Sequence, residues 1–332
     1  MTTDRTSAAR TRRGALTGVL LVLAGLLTGC GSSTAATPPP AEAPRTPLDE
    51  DLHALLPDDL RERGSMRIGT DASYAPASSF AQDGRTIVGF EPDLLAAVSR
   101  VLGIQAELVP LPFDGLLDDV TAGRIDVAMS AMTDTQARQA SADFVNYFSA
   151  GTSIVVRRGN PHGVLELGDL CGSTVAVERA TVQVDLVARA QSRCGDEPVE
   201  LHELPDNVQA LLELRTGRAV AVLSDYPPAA ELANGARTRA HFQLASDTQY
   251  EPGLYGAAVA KDRPRLRDAL HGAFERLMAS GEYERILRHW QVQRGAVRQP
   301  SINAAAVEEA ARVAPPPLRR GEWDGTAPRG GP

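Results

Sequence analysis

The chain has 332 residues, of which 43% are hydrophobic and 23% are charged, and its formal net charge is −8 with an isoelectric point near 5.4. This acidic balance argues against a protein that holds nucleic acid on a basic face. The sequence contains no Walker-type glycine loop, no HExxH pair and no cluster of cysteine and histidine residues. We therefore expect no nucleic-acid partner, no metal and no organic cofactor.

The first 30 residues have the layout of a secretory signal. Arg10, Arg12 and Arg13 precede residues 15–27, an apolar run that is shorter than the roughly 20 residues needed to span a bilayer. The run closes in Leu-Thr-Gly-Cys at 27–30, which resembles a bacterial lipobox. The resemblance implies that residues 1–29 are a lipoprotein signal peptide and that Cys30 carries the lipid anchor. The alternative is an ordinary signal peptide with an incidental cysteine.

The composition changes on either side of a central region. Residues 30–63 begin with a stretch rich in Ser, Thr, Ala and Pro, which predicts a flexible tether. Residues 297–332 are rich in Pro, Gly and Arg, which predicts a disordered tail. The region between them, 64–296, is long enough to form two lobes that each have a hydrophobic core.

Only three cysteines are present in the chain. If Cys30 is lipidated, Cys171 and Cys194 remain as a pair. Outside the cytoplasm, such a pair indicates a disulfide bond. The alternative is two unpaired buried thiols.

Hydrophobic periodicity in the central region alternates between strand and helix patterns. Strands are predicted at 66–70, 105–110, 125–130, 151–157, 174–177, 199–204, 219–224 and 254–259. Helices are predicted at 93–102, 115–122, 182–193, 207–216 and 226–233, and two closing helices at 264–290 with a break at 280–281. Strands that alternate with helices through short connections are typical of an α/β fold.

One pattern occurs twice, at residues 121–130 and 215–224: a helix that stops at Gly-Arg, then a buried strand that ends in Ser. The repeat predicts two similar lobes. After the first copy, Thr135 is suited to cap a helix with Arg138 in its first turn, where free N–H groups and a guanidinium favour a carboxylate. The second copy ends at Asp225. Ligands of open α/β sheets bind beyond the carboxyl ends of strands, so the two side chains are expected to face each other. The alternatives are a surface arginine and an aspartate that only caps a helix.

Three motifs, in this order along the chain, resemble those of the bacterial solute-binding proteins of family 3, the polar amino-acid receptors of ABC importers. They are VGFEPDL at 88–94, TDTQAR at 133–138 followed by Asp143-Phe144, and GEY at 281–283 followed by Trp290. The resemblance implies a two-lobed α/β fold of the periplasmic-binding-protein-like type II, with a two-strand hinge that closes on ligand. Lobe one is expected at 64–151 and 249–296, and lobe two at 152–248.

The resemblance also implies a binding site. Arg138 matches the arginine that clamps the ligand α-carboxylate, with Thr133 and Ser130 beside it, and Asp225 matches the acid that accepts the α-ammonium. Further ligand contacts are expected from four other residues, Tyr74, Phe113, Thr181 and Glu178. If the Glu178 side chain points inward, it favours a ligand with a cationic or amide end; if it points outward, it has no such role.

Ala180 is one departure from the family pattern. Ala180 stands where a glycine is common, which indicates a less permissive loop.

Together these observations predict a monomeric receptor, lipid-anchored on the outer face of the cell membrane. It is expected to bind a polar amino acid by lobe closure and to pass it to an ABC permease, without catalysis. Two alternatives stay open: a cyclohexadienyl dehydratase-like enzyme with Glu178 as general acid, and a ligand-binding protein that signals instead of transporting.

Overall fold

The computed structural model describes residues 45–305, so Cys30, the signal peptide and residues 306–332 lie outside the described part of the chain. The strands in that range are β1 (Ser65–Thr70), β2 (Ser73–Tyr74), β3 (Ser78–Phe80), β4 (Ile87–Val88), β5 (Gln105–Pro110), β6 (Val127–Ala128), β7 (Ala142–Arg157), β8 (Thr174–Glu178), β9 (Glu200–Leu204), β10 (Ala221–Asp225), β11 (Phe242–Leu244), β12 (Tyr250–Ala260) and β13 (Ala296–Ile302). The α-helices are α1 (Glu50–Leu55), α2 (Asp58–Arg63), α3 (Phe90–Leu102), α4 (Leu116–Thr121), α5 (Gln136–Gln139), α6 (Val182–Ala190), α7 (Asn207–Thr216), α8 (Tyr226–Asn234), α9 (Pro264–Ala279) and α10 (Glu282–His289). Short 3-10 helices lie at Phe113–Gly115, Leu167–Leu170, Gln191–Arg193 and Gln293–Gly295.

Two long antiparallel strands, β7 and β12, connect the two lobes. In lobe one, β1 pairs in parallel with β5 and β6, and β6 pairs antiparallel with β12. In lobe two, β8 pairs in parallel with β9 and β10, and β10 pairs antiparallel with the end of β7. The expected two-lobed α/β fold with a two-strand hinge is therefore confirmed, whereas the residue boundaries of the lobes stay a prediction.

Each lobe has its own buried apolar cluster. In lobe one, α3 places its apolar side chains at helical spacing against the sheet and α9, and Phe90 stacks on Phe148 with ring centroids 4.9 Å apart. The helix ends at Gly103, whose left-handed φ of 67° suits a glycine. In lobe two, the cluster forms around β8, β10 and α6. Cys171 and Cys194 are joined there by a disulfide bond.

The predicted tether ends well before residue 63. Residues 50–63 contain α1 and α2. Leu56, directly after α1, and Leu60, within α2, are 0% exposed. Asp49 caps α1 by accepting the N–H of Leu52 at 3.1 Å. The prediction of a tether was wrong here because the apolar residues that follow the Pro-rich stretch have the spacing of a helix that packs on a core.

The predicted disorder from residue 297 was wrong for the first part of the tail. Strand β13 (Ala296–Ile302) lies antiparallel to β7. Just beyond it, the N–H of Asn303 donates to the carbonyl oxygen of Phe144 at 3.0 Å, and the Asn303 side chain accepts the N–H of Phe144 at 2.7 Å. The strand forms because an edge of β7 offers backbone partners, and the polar sequence of this segment gave no sign of that edge.

Within residues 45–305, no helix combines the length and the apolar character that crossing a bilayer requires.

Candidate functional site

A cavity lies between the lobes, beyond the carboxyl ends of strands β1, β6, β8 and β10. Its lining residues are Asp71, Tyr74, Phe113, Ser130, Ala131, Thr133, Arg138, Glu178, Thr181, Val182, Gln183 and Asp225. The eight residues that the sequence suggested as ligand contacts are all in this set. Because strands from both lobes end here, a ligand in the cavity contacts both lobes at once.

Arg138 is held at the cavity by backbone groups of both lobes. Thr135 caps α5 by accepting the N–H of Arg138 at 3.2 Å. The guanidinium donates to the carbonyl oxygen of Thr133 at 2.7 Å in lobe one and to that of Ala180 at 2.8 Å in lobe two. It also lies 5.4 Å from the ring centre of Phe113.

The charge of Arg138 is not neutralised by a direct ion pair with any residue between 45 and 305. Burial lowers the pKa of its guanidinium to about 10, while the more distant carboxylates of Asp225, Asp185 and Asp134 raise it. A buried cation whose direct partners are neutral carbonyls is suited to an incoming carboxylate, which a guanidinium binds with two parallel hydrogen bonds.

Asp225 supplies the opposite charge at the end of β10. Its carboxylate accepts hydrogen bonds from the Gln183 amide at 2.8 Å and from the Tyr74 hydroxyl at 3.2 Å. Burial raises the pKa of Asp225 to about 6, and the hydrogen bonds from Tyr74 and Gln183 oppose that rise. The Tyr74 hydroxyl also accepts the N–H of Asp225 at 2.9 Å, so a lobe-one side chain contacts lobe two here. A buried carboxylate with these neutral donors is suited to an ammonium group.

Glu178 points into the cavity from the end of β8. The residue is 6% exposed, and its Oε1 atom has no hydrogen-bond partner among the described residues. Burial, followed by the neighbouring carboxylate of Asp71, raises the pKa of Glu178 to about 9. Asp71 follows β1 in lobe one and is also 6% exposed. Two carboxyl groups from opposite lobes therefore face each other in one cavity.

The remaining suggested contacts have local roles that the structure makes visible. The hydroxyl of Thr181, which precedes α6, donates to the Glu178 carbonyl oxygen at 2.7 Å. The hydroxyl of Ser130 accepts the N–H of Asp71 at 2.9 Å. Ala180, in the same turn as Thr181, has a left-handed φ of 60°, a conformation that favours glycine. The backbone at this position therefore has the left-handed conformation that a glycine adopts easily, although the residue is an alanine.

Sequence reasoning missed several residues at the cavity. Asp71 directly follows a predicted strand, so the rule that ligands bind beyond strand ends could have found it. Gln183 gave no signal, because a glutamine in the first turn of a helix is ordinary. Glu91 is fully buried next to the cavity residue Ala131, whose N–H it accepts at 2.6 Å, and it also accepts the hydroxyl of Tyr147. It holds Ala131 at a left-handed φ of 47°.

Across residues 45–305, no group of three or more His, Cys, Asp or Glu side chains is arranged to hold a metal ion. The cavity is lined by charged groups of both signs: the cation of Arg138, the carboxylate of Asp225, and the facing carboxyl groups of Asp71 and Glu178.

The chain is similar to known amino-acid-binding proteins. The chain is 29% identical over 259 residues to the arginine-binding protein ArgT of Corynebacterium glutamicum, which covers 76% of this chain and 83% of that protein. An ancestral arginine-binding protein bound to arginine has a solved structure that is 31% identical, with a TM-score of 0.64, covering 69% of this chain and 98% of the other.

A second solved structure is that of an ancestral amino-acid-binding protein that is a precursor of cyclohexadienyl dehydratase. It is 28% identical, with a TM-score of 0.64, and the match covers 71% of this chain and 99% of that chain. The sequence model of the bacterial extracellular solute-binding proteins, family 3, matches residues 66–293. The chain belongs to the bacterial extracellular solute-binding proteins of family 3.

Proposed function

We propose that this protein is an extracytoplasmic receptor that closes its two lobes around a cationic amino acid, arginine being the leading candidate, and delivers it to an ABC permease. The observation that carries the proposal is the pair of facing carboxyl groups, Asp71 and Glu178, in the same cavity as Arg138 and Asp225. The arginine-binding relatives support the choice of ligand.

One end of the cavity is suited to the amino-acid backbone. Arg138 binds the α-carboxylate and Asp225 binds the α-ammonium, with Tyr74 and Gln183 fixing the aspartate. Ser130, Thr133 and Thr181 contribute further polar groups, and Phe113 packs beside the guanidinium. These contacts are common to every α-amino acid, so they give affinity and not the identity of the side chain.

The pair of Asp71 and Glu178 selects the side chain of the ligand. Asp71 and Glu178 approach from opposite lobes, and the carboxylate of Asp206 also raises the pKa of Glu178, which indicates a negative environment. A guanidinium placed there satisfies both carboxyl groups. The carboxylate of a glutamate ligand would instead be buried beside like charges, which costs several kcal/mol.

Closure follows from contacts that exist only when the lobes meet. Arg138 donates to Ala180 across the cleft, and Tyr74 contacts Asp225 across it. A ligand that bridges the same groups binds the closed form better than the open form and shifts the population toward it. No bond of the ligand has to change for this to occur, so we propose a receptor without enzymatic activity.

The cellular setting is part of the proposal. Lipidation of Cys30, which is outside the described residues, would hold the receptor on the outer face of the cell membrane by its acyl chains. We expect it to act there as a monomer.

Growth on arginine and uptake of labelled arginine by cells lacking the gene distinguish transport from signalling, because only a transport role predicts lost uptake.

The first test is thermal unfolding of the purified protein with arginine, lysine, glutamine and glutamate. Arginine at about 100 times its Kd is expected to add about 2.7 kcal/mol to the free energy of unfolding, seen as a higher melting temperature. Glutamate is expected to add much less. A shift caused by glutamate alone would contradict the assigned role of the acid pair.

The dehydratase alternative rests on one observation, the raised pKa of Glu178, which keeps its carboxyl group protonated at neutral pH as a general acid requires. Incubation with prephenate and with arogenate tests it. We expect no turnover. Turnover that disappears in Glu178→Gln would replace the receptor proposal with an enzymatic one.

A further inference from the structure

The C-terminal segment, residues 301–305, contacts the loop of lobe one that carries the ligand site. This ligand loop is residues 133–138. The N–H of Ala305 donates to the carboxylate of Asp134 at 3.3 Å, and Asp134 is 3% exposed. The family model matches residues 66–293. A part of the chain that lies beyond the family match therefore reaches the ligand site.

Asn146 of β7 connects the C-terminal segment to the ligand loop. Its side-chain oxygen accepts the hydroxyl of Ser301 at 3.1 Å and the N–H of Ala304 at 3.2 Å. Its side-chain nitrogen donates to the carboxylate of Asp134 at 3.0 Å. Because Asn146 is 1% exposed, water cannot replace these partners freely.

The N–H of Ala304 fixes the orientation of the Asn146 amide. A backbone N–H can only donate, so the Asn146 atom that faces it has to be the oxygen. The nitrogen then faces Asp134, whose carboxylate can only accept. Without the C-terminal segment the amide is free to rotate, and the buried carboxylate can lose its donor, which is costly.

Asp134 in turn sets the position of the ligand loop. Its carboxylate also accepts the Gln139 amide at 2.6 Å, and its N–H donates to the carbonyl oxygen of Leu254 at 2.7 Å. The carbonyl oxygen of the neighbouring Thr133 accepts the guanidinium of Arg138 at 2.7 Å. A shift of Asp134 therefore moves the backbone that holds the guanidinium.

We propose that the C-terminal segment positions the ligand site: it fixes the Asn146 amide and the Asp134 carboxylate, and so holds the ligand loop in the form that binds a carboxylate. The inference rests on the proposed function, in which Arg138 binds the α-carboxylate, but not on which amino acid is bound. The contacts that carry it are made within lobe one and the segment that packs on it, so they do not depend on lobe closure.

Asn303 anchors the segment and offers the substitution that tests the proposal. Its side chain accepts the N–H of Phe144 at 2.7 Å and donates to the carboxylate of Asp143 at 3.0 Å. Its φ of 53° is left-handed, a conformation that asparagine adopts more readily than alanine. Asn303→Ala is therefore expected to loosen the segment without touching the ligand loop directly.

Asn160 of lobe two provides a matched control. Its φ is 45°, and its side chain donates to the carbonyl oxygen of Val164 at 2.7 Å and accepts the N–H of Val164 at 3.1 Å. Asn160 is not among the residues that line the cavity. Asn160→Ala thus removes two side-chain hydrogen bonds at a left-handed asparagine, as Asn303→Ala does, but away from the ligand loop.

The test is titration calorimetry of the full-length protein with L-arginine, together with thermal unfolding without ligand. Both variants are expected to lower the melting temperature. Only Asn303→Ala is expected to raise Kd, by about fivefold or more, the effect of losing about one hydrogen bond. An unchanged Kd in Asn303→Ala would overturn the proposal. An equal rise of Kd in Asn160→Ala would also overturn it, since the effect would then be a general loss of stability.

Amide hydrogen exchange of the unmodified protein tests the proposal even if Asn303→Ala folds poorly. If the segment favours the form that binds ligand, linkage requires that the ligand favours the docked segment by the same factor. Arginine is therefore expected to slow exchange of the Ala304 and Ala305 N–H groups about fivefold or more, and to leave that of Val164 unchanged. No slowing at Ala304 and Ala305, or equal slowing at Val164, would contradict the coupling.

The outcomes separate this inference from the proposed function. If arginine binds the wild type and Asn303→Ala equally well, the inference fails and the receptor proposal stands. If the wild type does not bind arginine, the proposed ligand fails, and exchange of the Asp134 N–H in the empty protein decides the inference. Faster exchange in Asn303→Ala than in Asn160→Ala would support it, and equal rates would overturn it.

Discussion

The guanidinium of Arg138 in lobe one donates a 2.8 Å hydrogen bond to the carbonyl oxygen of Ala180 in lobe two. The same guanidinium donates to Thr133 in its own lobe at 2.7 Å. Arg138 thus connects lobe one, at the cavity, to the turn of lobe two that contains Ala180. A carboxylate that binds Arg138 is placed where the two lobes meet, which links ligand binding to closure.

Removal of the guanidinium is expected to abolish detectable binding of amino acids. Arg138→Ala deletes the only cation that lines the cavity within residues 45–305, and loss of one partner of a buried charge pair costs about 2–5 kcal/mol, or a Kd raised about 30-fold or more. Titration calorimetry measures the effect. The matched control is Arg218→Ala, which removes an exposed arginine paired with Glu213 within lobe two and should leave Kd unchanged. Equal affinities for the two variants would show that the clamp is misassigned.

Replacement of Ala180 by glycine is expected to stabilise the protein. An L-residue at a φ of 60° costs about 1–2 kcal/mol, and the extra backbone freedom of glycine offsets about 0.5–1 kcal/mol of that gain. Urea unfolding should therefore show a small increase in stability, with arginine binding retained because the carbonyl group is unchanged. Ala188→Gly, at an exposed position of α6, should instead lose about 0.5–1 kcal/mol. A loss of stability in both variants would argue against a left-handed turn at Ala180.

The folded protein, with its lobes closed as in the structure, is expected to lose stability as the pH rises toward 9. The pKa of Glu178 is raised from 4.5 to about 9 in the folded state, so its contribution to stability is complete below pH 4.5 and is lost as the pH rises through 9. Urea unfolding at pH 6, 7.5 and 9 measures this dependence. Glu178→Gln should flatten it, whereas Glu203→Gln, at an exposed position on β9, should not. Identical curves for the wild type and Glu178→Gln would contradict a buried, protonated Glu178.

The two N-terminal helices are expected to be part of the folded unit. Leu60 of α2 is 0% exposed, and truncation of such a core leucine to alanine costs about 2–5 kcal/mol. Leu48→Ala is the matched control, since Leu48 is 49% exposed and should cost much less. Thermal unfolding compares the two. Unchanged stability in Leu60→Ala would restore the tether that the sequence suggested for this segment.

Local signals were enough to predict much of the fold. Helix α7 was predicted at 207–216 and occupies those residues, because Asp206 caps it and Gly217 ends it with a left-handed φ of 80°. Strand β7 was predicted only at 151–157, yet it begins at residue 142. Its first part has a mixed polar and apolar pattern, because it forms the hinge and pairs with strands on both sides. Such pairing depends on distant parts of the chain and leaves no local pattern.

The candidate site was predictable where it followed strand ends. Arg138 and Asp225 were placed together because parallel strands of both lobes end at the same cleft, and both line one cavity. The direction of the Glu178 side chain could not be predicted, since it depends on how the lobes meet. Asp71 could have been found, because it directly follows the predicted strand 66–70, but its position opposite Glu178 depends on how the lobes meet and could not be predicted.

The most direct test of the zwitterion clamp is titration calorimetry of L-arginine against agmatine, which keeps the guanidinium side chain and lacks the α-carboxylate. If Arg138 binds the carboxylate across the cleft, arginine should bind saturably at one site, and agmatine should bind about 30-fold more weakly or not at all. Equal affinity for the two compounds would contradict the assignment of Arg138 and Asp225 as the site of the amino-acid backbone.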